Sequence, residues 1–475
     1  MGYLGFIFGS ASRVSPLLLS SAFPSTGSLC RACKRVIPYV SPPVFFSVLT
    51  RPLQTPSTST HHVEADLTAL YAPKKPVVRQ PKPPSVPIPT EIVMSILEAA
   101  YDNEQVPYYN AFLKNASLVC KDWSFIAQRL LFRNVCLTTQ TAYIAFQEAV
   151  DRATPRGCML GDAVVRMKVV LDQNQPYRLS HKSFARAVSF CPNLYELNVA
   201  VYGEGAPGLD IVGAPDASRM KRTMPAFDQR TLAILRSGPK ISALQFSNWS
   251  DNSTSLLQLL DVWPSLVSLD VSGTTPQLPE ESVEPFPCAL RELRTNFQTT
   301  PSVEFMRWLL HNSTGSLRVL DLAREPTPEV LEYLVSEHAS TLESLALPSC
   351  GTHESAAAVL RCTELRELKI ESAWAAPMLY KSLPHGLQHL ALGVDADTPL
   401  APIVQAIKRS DDLRAITMQV WHGGEQHPQL AAVKIACGVK GVELRQTNDV
   451  PEFRAITVRI IAFSSARAYG LRNAS

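Results

Sequence analysis

Hydrophobic and polar positions form a repeated pattern, apolar-x-x-apolar-x-apolar, over most of the chain beyond residue 160. From Ile241 onward, the first positions of successive copies are separated by 25, 24, 27, 25, 23, 22, 26 and 26 residues. A period of this length indicates an array of stacked structural repeats. The clear copies are Leu194/Leu197/Val199, Ile241/Leu244/Phe246, Leu266/Leu269/Val271, Leu317/Leu320/Leu322, Leu342/Leu345/Leu347, Leu365/Leu368/Ile370, Leu387/Leu390/Leu392 and Leu413/Ile416/Met418, and the weaker copies are Val164/Met167/Val169, Leu290/Leu293/Thr295 and Val439/Val442/Leu444.

Each copy predicts one short strand followed by a helix. Alternate strand residues point to the same side, so the second and third apolar positions face one interior, which the helix covers. The predicted fold is an α/β solenoid with parallel strands on its concave face and helices on its convex face, and a doubly wound α/β domain is the alternative. The predicted helices span residues 256–263, 303–311, 328–338, 354–361 and 402–408, and a strand at 132–137 and a helix at 139–151 precede the array.

The spacing and the recurring leucines resemble the leucine-rich repeats. That family places Asn or Cys three residues after the third apolar position, and here only Cys350 fits. We therefore expect irregular repeats. A segment rich in Gly, Pro and Ala between Tyr202 and Asp228 interrupts the period, and it is either a binding loop or a disordered excursion.

Three short helices are predicted between residues 88 and 132. The first begins after Pro89, with Thr90 as its N-cap and Glu91 placed favourably for the helix dipole. Ile92 and Ile96 lie one turn apart on this helix, and Leu97 is predicted to widen their face. Helices this short cannot bury all of their apolar residues among themselves, so a partner or the next domain must cover part of their surface. The second helix carries Leu113, Ala116 and Cys120, and the third carries Trp123, Ile126, Ala127 and Leu130.

Two fragments of this stretch carry a family resemblance. The first is Ile88-Pro89-Thr90-Glu91-Ile92 leading into Ile96-Leu97, and the second is Leu118-Val119-Cys120-Lys121-Asp122-Trp123 leading into Leu130-Leu131-Phe132. Their order and spacing resemble an F-box, the helical module that docks onto a Skp adaptor. Ile88 replaces the usual Leu, and the turn at 102–110 is longer than that of a minimal F-box.

The resemblance implies a function as well as a fold. It implies a substrate-recognition subunit of an SCF-type cullin-RING ubiquitin ligase, whose F-box binds the Skp adaptor and, through it, cullin, while the repeats bind an unknown target protein. Such a subunit has no catalytic activity of its own. The residues that the resemblance assigns to contact or support of the adaptor are Pro89, Ile92, Ile96, Leu97, Leu118, Val119, Cys120 and Trp123.

Composition divides the chain into three parts. Residues 1–84 are predicted to be a disordered, basic, Ser/Pro-rich tail and linker, residues 85–135 the F-box, and residues 136–475 the solenoid. Residues 1–63 contain no Asp or Glu, which is also typical of mitochondrial transit peptides. Prolines at 16, 24, 38, 42 and 43 would interrupt the amphipathic helix of such a peptide, so the expected location is cytoplasmic or nuclear. The alternative is a mitochondrial structural or assembly protein unconnected with ubiquitination.

Candidate chemistry is sparse. The sequence contains no phosphate-binding loop, dinucleotide fingerprint, nucleophile elbow or zinc-protease helix, so we expect no catalytic, cofactor-binding or metal-binding site. The net charge of +3 gives no reason to expect a nucleic-acid partner. No apolar run reaches the roughly 20 residues of a membrane span.

Protein recognition is the expected role of the repeats. On each strand, the residues between the inward leucines face the open side of the sheet. Their mixed charge suits a protein surface better than a polyanion or a lipid. The candidate target-binding residues are Glu196, Asn198, Gln245, Asp270, Glu292, Arg294, Asp321, Glu367, Lys369 and His389.

Overall fold

The structure of the protein, a computed structural model, describes residues 88–99, 101, 106–204, 223–279 and 284–455. The chain divides into two units, Met1–Thr55 and Pro56–Ser475, and all of the described residues belong to the second. The predicted tail and linker at 1–84 lie outside the described residues. Most of the interruption between Tyr202 and Asp228 also lies outside them, at 205–222.

The described residues form twelve strands that alternate with helices. The strands are β1 (Asn134–Leu137), β2 (Arg166–Asp172), β3 (Glu196–Tyr202), β4 (Ala243–Trp249), β5 (Ser268–Gly273), β6 (Glu292–Phe297), β7 (Val319–Leu322), β8 (Ser344–Leu347), β9 (Glu367–Ile370), β10 (His389–Val394), β11 (Ala415–Val420) and β12 (Glu443–Thr447). The helices are α1 (Thr90–Ala99), α2 (Val106–Ala116), α3 (Lys121–Phe132), α4 (Gln140–Ala149), α5 (Pro155–Ala163), α6 (His181–Ser189), α7 (Gln229–Arg236), α8 (Ser255–Val262), α9 (Val303–Leu310), α10 (Pro328–His338), α11 (His353–Leu360), α12 (Pro377–Lys381), α13 (Leu400–Arg409), α14 (Leu430–Lys440) and α15 (Val450–Ala455).

All twelve strands form one parallel sheet in which they follow sequence order from β1 to β12. This arrangement confirms the predicted α/β class and the stacking of strand-helix units. The sequence order also excludes the doubly wound alternative, in which the strand order reverses. Because each strand pairs only with its sequence neighbours, the sheet is a solenoid.

The repeated leucines account for the register of the sheet. Leu197 pairs with Leu244, and Leu244 pairs with Leu269, so the second apolar position of each repeat falls in one row. That row continues through β6 to β10, and its members are buried. A one-residue slip would turn every strand over, which fixes the register wherever one face is buried. The further members of the row are Leu293, Leu320, Leu345, Leu368 and Leu390.

Polar residues begin many of the helices that cover this row. In each case the side-chain oxygen accepts a hydrogen bond from a backbone N–H in the first turn, which otherwise has no intrahelical partner. Such a cap contributes about 1 kcal/mol to stability. The capping residues are Thr139, Thr154, Ser180, Asp228, Ser302, Thr327 and Thr352.

Gly273 ends β5 where two repeats approach closely. Its φ is +92°, a conformation that favours glycine, and an added Cβ would lie 1.9 Å from the backbone oxygen of Asn248 on β4. A side chain at this position would therefore force the two strands apart.

Several local predictions differ from the structure. Thr90 is the first residue of α1 and not a residue before it. Cys120 precedes α3 with an extended backbone and so does not belong to α2. Val439 is 82% exposed on α14, because the helix continues to Lys440 before Gly441 ends it in a left-handed conformation. The last repeat therefore lacks the predicted apolar first position.

His338 gives the fold a dependence on pH. It is buried in the last turn of α10, and neither ring nitrogen has a hydrogen-bond partner among the described residues. Burial lowers the pKa of His338, against the opposing charge of Glu337. Because the unfolded chain binds this proton more readily, stability is lost as pH falls below about 6.5, by at most about 1.4 kcal/mol per pH unit. We expect His338→Leu to remove this loss in urea unfolding measured from pH 7.5 to 5.

The exposed His353, at the start of α11, supplies the matched control. The substitution His353→Leu removes an exposed histidine and leaves the buried His338 in place. Unfolding of this variant should therefore retain the pH dependence of the wild type. Equal pH dependence in the wild type and His338→Leu would contradict the assignment.

Candidate functional site

Helices α1, α2 and α3 pack around their own apolar core. Tyr101, Trp123 and Leu131 are partly buried against this core. Helix α3 also packs against α5 and β1, so the three helices rest on the first repeat of the solenoid. The core residues are Val93, Leu97, Leu113, Ala116, Ile126, Ala127 and Leu130.

A second set of apolar residues in these helices faces solvent. On α1, Val93 and Leu97 point into the core, and Ile92 and Ile96 are exposed on the adjacent side. Leu97 therefore does not extend the face of Ile92 and Ile96, as its spacing suggested. Half of the large apolar side chains that the described residues expose lie between residues 88 and 125.

The connection between α2 and α3 carries the most exposed of these side chains. The backbone N–H of Leu118 donates to Asn115 O, and that of Val119 donates to Ala116 O, so the chain turns directly after α2. The turn directs both side chains outward, and Leu118 is 83% and Val119 63% exposed. We name Ile92, Ile96, Leu118 and Val119 the apolar collar.

The residues that the F-box resemblance singled out divide into two groups. Leu97 is fully buried in the core and can only support a contact surface, and Trp123 is partly buried against the same core. The others are exposed: Pro89, Ile92, Ile96, Leu118, Val119 and Cys120.

The side of the sheet opposite the helices, here called the open face, carries ordered rows of polar side chains. In one row, Arg166 Nε lies 3.2 Å from Glu196 Oε2, and Ser268 Oγ donates to Glu292 at 3.0 Å. In the next row, Asn198 donates to Gln245, whose amide donates to Asp270 at 3.1 Å. Burial raises the pKa of Asp270 to about 6, although Arg294 and Gln245 oppose the shift.

Seven of the ten candidate target-binding residues are half-buried on the open face. Their polar groups keep some contact with solvent, as a recognition surface requires. These seven are Glu196, Asn198, Gln245, Asp270, Glu292, Arg294 and Asp321.

The other three, Glu367, Lys369 and His389, differ from this expectation because they are buried. Glu367 Oε1 lies 2.6 Å from His389 Nδ1 and 3.7 Å from Lys369 Nζ, and Ser344 Oγ donates to Glu367 Oε2 at 2.7 Å. On the far side of the imidazole, Nε2 lies 2.9 Å from Thr417 Oγ1. One buried network thus joins strands β8 to β11.

Electrostatics hold this network together. Burial alone would raise the pKa of the Glu367 carboxyl, but the hydrogen bond to His389 and the charge of Lys369 hold this pKa below its usual value. Since an ionised carboxylate only accepts hydrogen bonds, His389 Nδ1 is the donor. Burial lowers the pKa of Lys369, and the charges of Glu367 and Asp321 oppose that shift.

Helix α15 lies close to this network. It packs on β11 and β12, and Lys369 Nζ donates to the backbone oxygen of Arg454 at 2.9 Å. Strands β9 and β10 are buried on both sides, whereas β2 alternates between buried and accessible residues. Sequence reasoning missed α15, Phe453 and Arg454 because a six-residue helix has no recognisable periodicity.

The order Thr417, His389 and Glu367 has the geometry of a nucleophile, a base and an orienting acid. However, the side chains of Thr417 and His389 have no solvent exposure, so no substrate reaches the hydroxyl. The arrangement is a polar connection between strands.

Metal and membrane sites are absent from the part of the chain that the structure describes. No three or more His, Cys, Asp or Glu side chains there are grouped to hold a metal ion. Among the same residues, no helix combines the length and the apolar character needed to cross a bilayer.

Comparison with known proteins gives only distant similarity. The sequence matches no protein-family model and no curated protein. A solved TLR13–ssRNA13 complex is 12% identical with a TM-score of 0.31, and the match covers 62% of this chain and 45% of that one. The yeast Rad7–Elc1 complex is 15% identical with a TM-score of 0.34, and the match covers 75% of this chain and 92% of that one. Similarity at this level says nothing about partners or activity.

Proposed function

We propose that this protein is the substrate-recognition subunit of an SCF-type cullin-RING ubiquitin ligase. In this proposal the helices α1 to α3 form an F-box that docks on a Skp adaptor, and the solenoid binds the target protein. The observation that carries the proposal is the apolar collar, which lies on a three-helix unit attached to a repeat array. Among the described residues, Leu118 and Val119 are two of the most exposed large apolar side chains.

Physical chemistry supports a protein partner for the collar. Half of the large apolar side chains that the described residues expose lie between residues 88 and 125, and such a concentration is typical of an interaction site. Burial of the exposed parts of the collar side chains against a partner would favour binding by about 25 cal/mol per Å² of apolar area. The buried Leu97 and the half-buried Trp123 keep the helices that carry the collar in place. The sequence of this stretch, with its F-box order of motifs, supports the Skp adaptor as that partner.

The open face supports a protein as the target. Between β2 and β7 it presents acidic, basic and amide groups side by side, including Glu196, Asn198 and Arg294. Complementary charges on a protein partner would fix the register of binding. A polyanion would instead require a surface with one sign of charge.

Binding of the full chain to a purified Skp adaptor tests the proposal. We expect a one-to-one complex in size-exclusion chromatography, with a Kd of about 1 µM or below by calorimetry, as buried apolar contacts of this number support. Absence of a complex at about 50 µM of each protein would refute the assignment of the collar.

A further inference from the structure

Helix α15 is held on the open face by charged groups of distant repeats. The guanidinium Nε of Arg454 donates to Glu371 Oε2 at 2.9 Å, and Nη1 of the same guanidinium lies 3.6 Å from Asp321 Oδ1. Asp321 belongs to β7, and Glu371 directly follows β9. Arg454 therefore reaches five strands back from β12, the end of the described sheet.

A second contact joins the same region to the helix, because Lys369 Nζ donates to the Arg454 carbonyl. The neighbouring Phe453 is buried. We call Asp321, Lys369 and Glu371 the α15 socket.

These contacts differ from those of a simple end cap. An end cap packs on the apolar end of the last repeat, and its own outer face is polar. Helix α15 instead lies on the polar open face, and its arginine contacts carboxylates on inner repeats. The socket thus contacts both the guanidinium and the backbone carbonyl of Arg454.

We propose that the α15 socket is a target-binding site and that α15 occupies it as an internal competitor. The ligand class is a short helical protein segment in which an aromatic residue is followed directly by arginine. The aromatic side chain takes the place of Phe453, the arginine pairs with Asp321 and Glu371, and the carbonyl of the arginine accepts from Lys369. This inference rests on the proposed role of the solenoid in target binding, but not on the adaptor.

Binding of a labelled peptide to a variant with an empty socket tests the inference. The receptor is the full chain with Phe453→Ser and Arg454→Glu, which weaken the contacts of its own α15. The probe is a fluorescent peptide of residues 447–455, and fluorescence polarisation measures its binding. We expect this variant to bind the peptide at least tenfold more tightly than the wild-type chain, in which the linked α15 competes at millimolar effective concentration. A peptide with Arg454→Glu should bind at least tenfold more weakly.

Charge reversal makes the test specific. With Glu371→Arg added, the receptor should bind the Arg454→Glu peptide more tightly than the unchanged peptide. Circular dichroism of the receptor, and of the single variant Arg454→Glu beside it, checks that each protein is folded. Arg409→Glu, an exposed change on α13, is the matched control and should leave the wild-type chain without peptide binding.

Two results would overturn the inference. One is equal binding of both peptides, which would indicate non-specific apolar attraction. The other is no binding by either receptor variant up to about 1 mM peptide, which would make α15 a permanent part of the fold. Peptide binding by a protein that forms no adaptor complex would support the socket as a binding site and refute the ubiquitin-ligase role. The two proposals can therefore fail separately.

Discussion

Replacing Leu118 and Val119 together by serine should weaken binding of the Skp adaptor by on the order of 1000-fold. Each side chain projects from the turn between α2 and α3, and burying a leucine or valine side chain contributes about 1.5–3 kcal/mol. Their exposure in the free protein means that the change removes no core contact, so stability should change by less than about 0.5 kcal/mol. Calorimetry with the purified adaptor measures the affinity, and thermal unfolding measures the stability.

Ile144 provides the control for this experiment. It is another exposed apolar residue, 48% accessible, but it lies on α4 in the solenoid and outside the apolar collar. Ile144→Ser should bind the adaptor as the wild type does. Unchanged affinity of the Leu118/Val119 variant would show that the collar is not the adaptor surface, whatever the full chain binds.

Replacing Glu367 by alanine should destabilise the last repeats by about 3–5 kcal/mol, the cost of removing one partner from a buried charged pair. The change leaves Ser344, Lys369 and His389 without their shared acceptor in a region closed by α15. We expect faster hydrogen exchange at the amides of β9, β10 and β11 and a lower midpoint in urea. Glu443→Ala is the control, because Glu443 lies in the same row on β12 but is exposed, and it should change exchange little.

The effect of Glu367→Ala should also depend on pH. The folded-state pKa of Glu367 is lower than its ordinary value of 4.5, so its contribution is present above that pH and is lost as pH falls through the folded-state pKa. The difference between wild type and variant should therefore shrink on acidification. A difference that stays constant from pH 7 to pH 3 would mean that the ionised carboxylate does not stabilise the network.

Local spacing explains why so much of the solenoid follows from sequence. The triplet Leu266/Leu269/Val271 marks β5, and Leu342/Leu345/Leu347 marks β8, because each strand needs only a few inward residues at fixed separation. Each repeat contacts its neighbours, so a periodic sequence produces periodic contacts. The helix predicted at 328–338 coincides with α10 for the same reason.

Where several faces of one helix are apolar, spacing does not identify the buried one. Ile92, Ile96 and Leu97 were expected on a common face of α1, but packing against α2 and α3 buries Leu97 and leaves the other two exposed. Val439 continues the 26-residue step in the sequence and nevertheless lies exposed on α14. In both cases the neighbouring elements decide burial, and their positions are not encoded in the local pattern.

The sequence by itself determined the α/β repeat, the order of its parallel strands and the polar rows of the open face, because these depend on the spacing of apolar positions within each repeat and on contacts between neighbouring repeats. Only the tertiary structure decided which of those polar residues a partner can reach. Arg454 and Glu371 are 83 residues apart in sequence, and Lys369 and the Arg454 carbonyl are 85 apart. Contacts at such separations arise from the three-dimensional path of the chain, and here they place Arg454 of α15 beside the buried Lys369, whereas the candidate residues on β3 to β7 keep some contact with solvent.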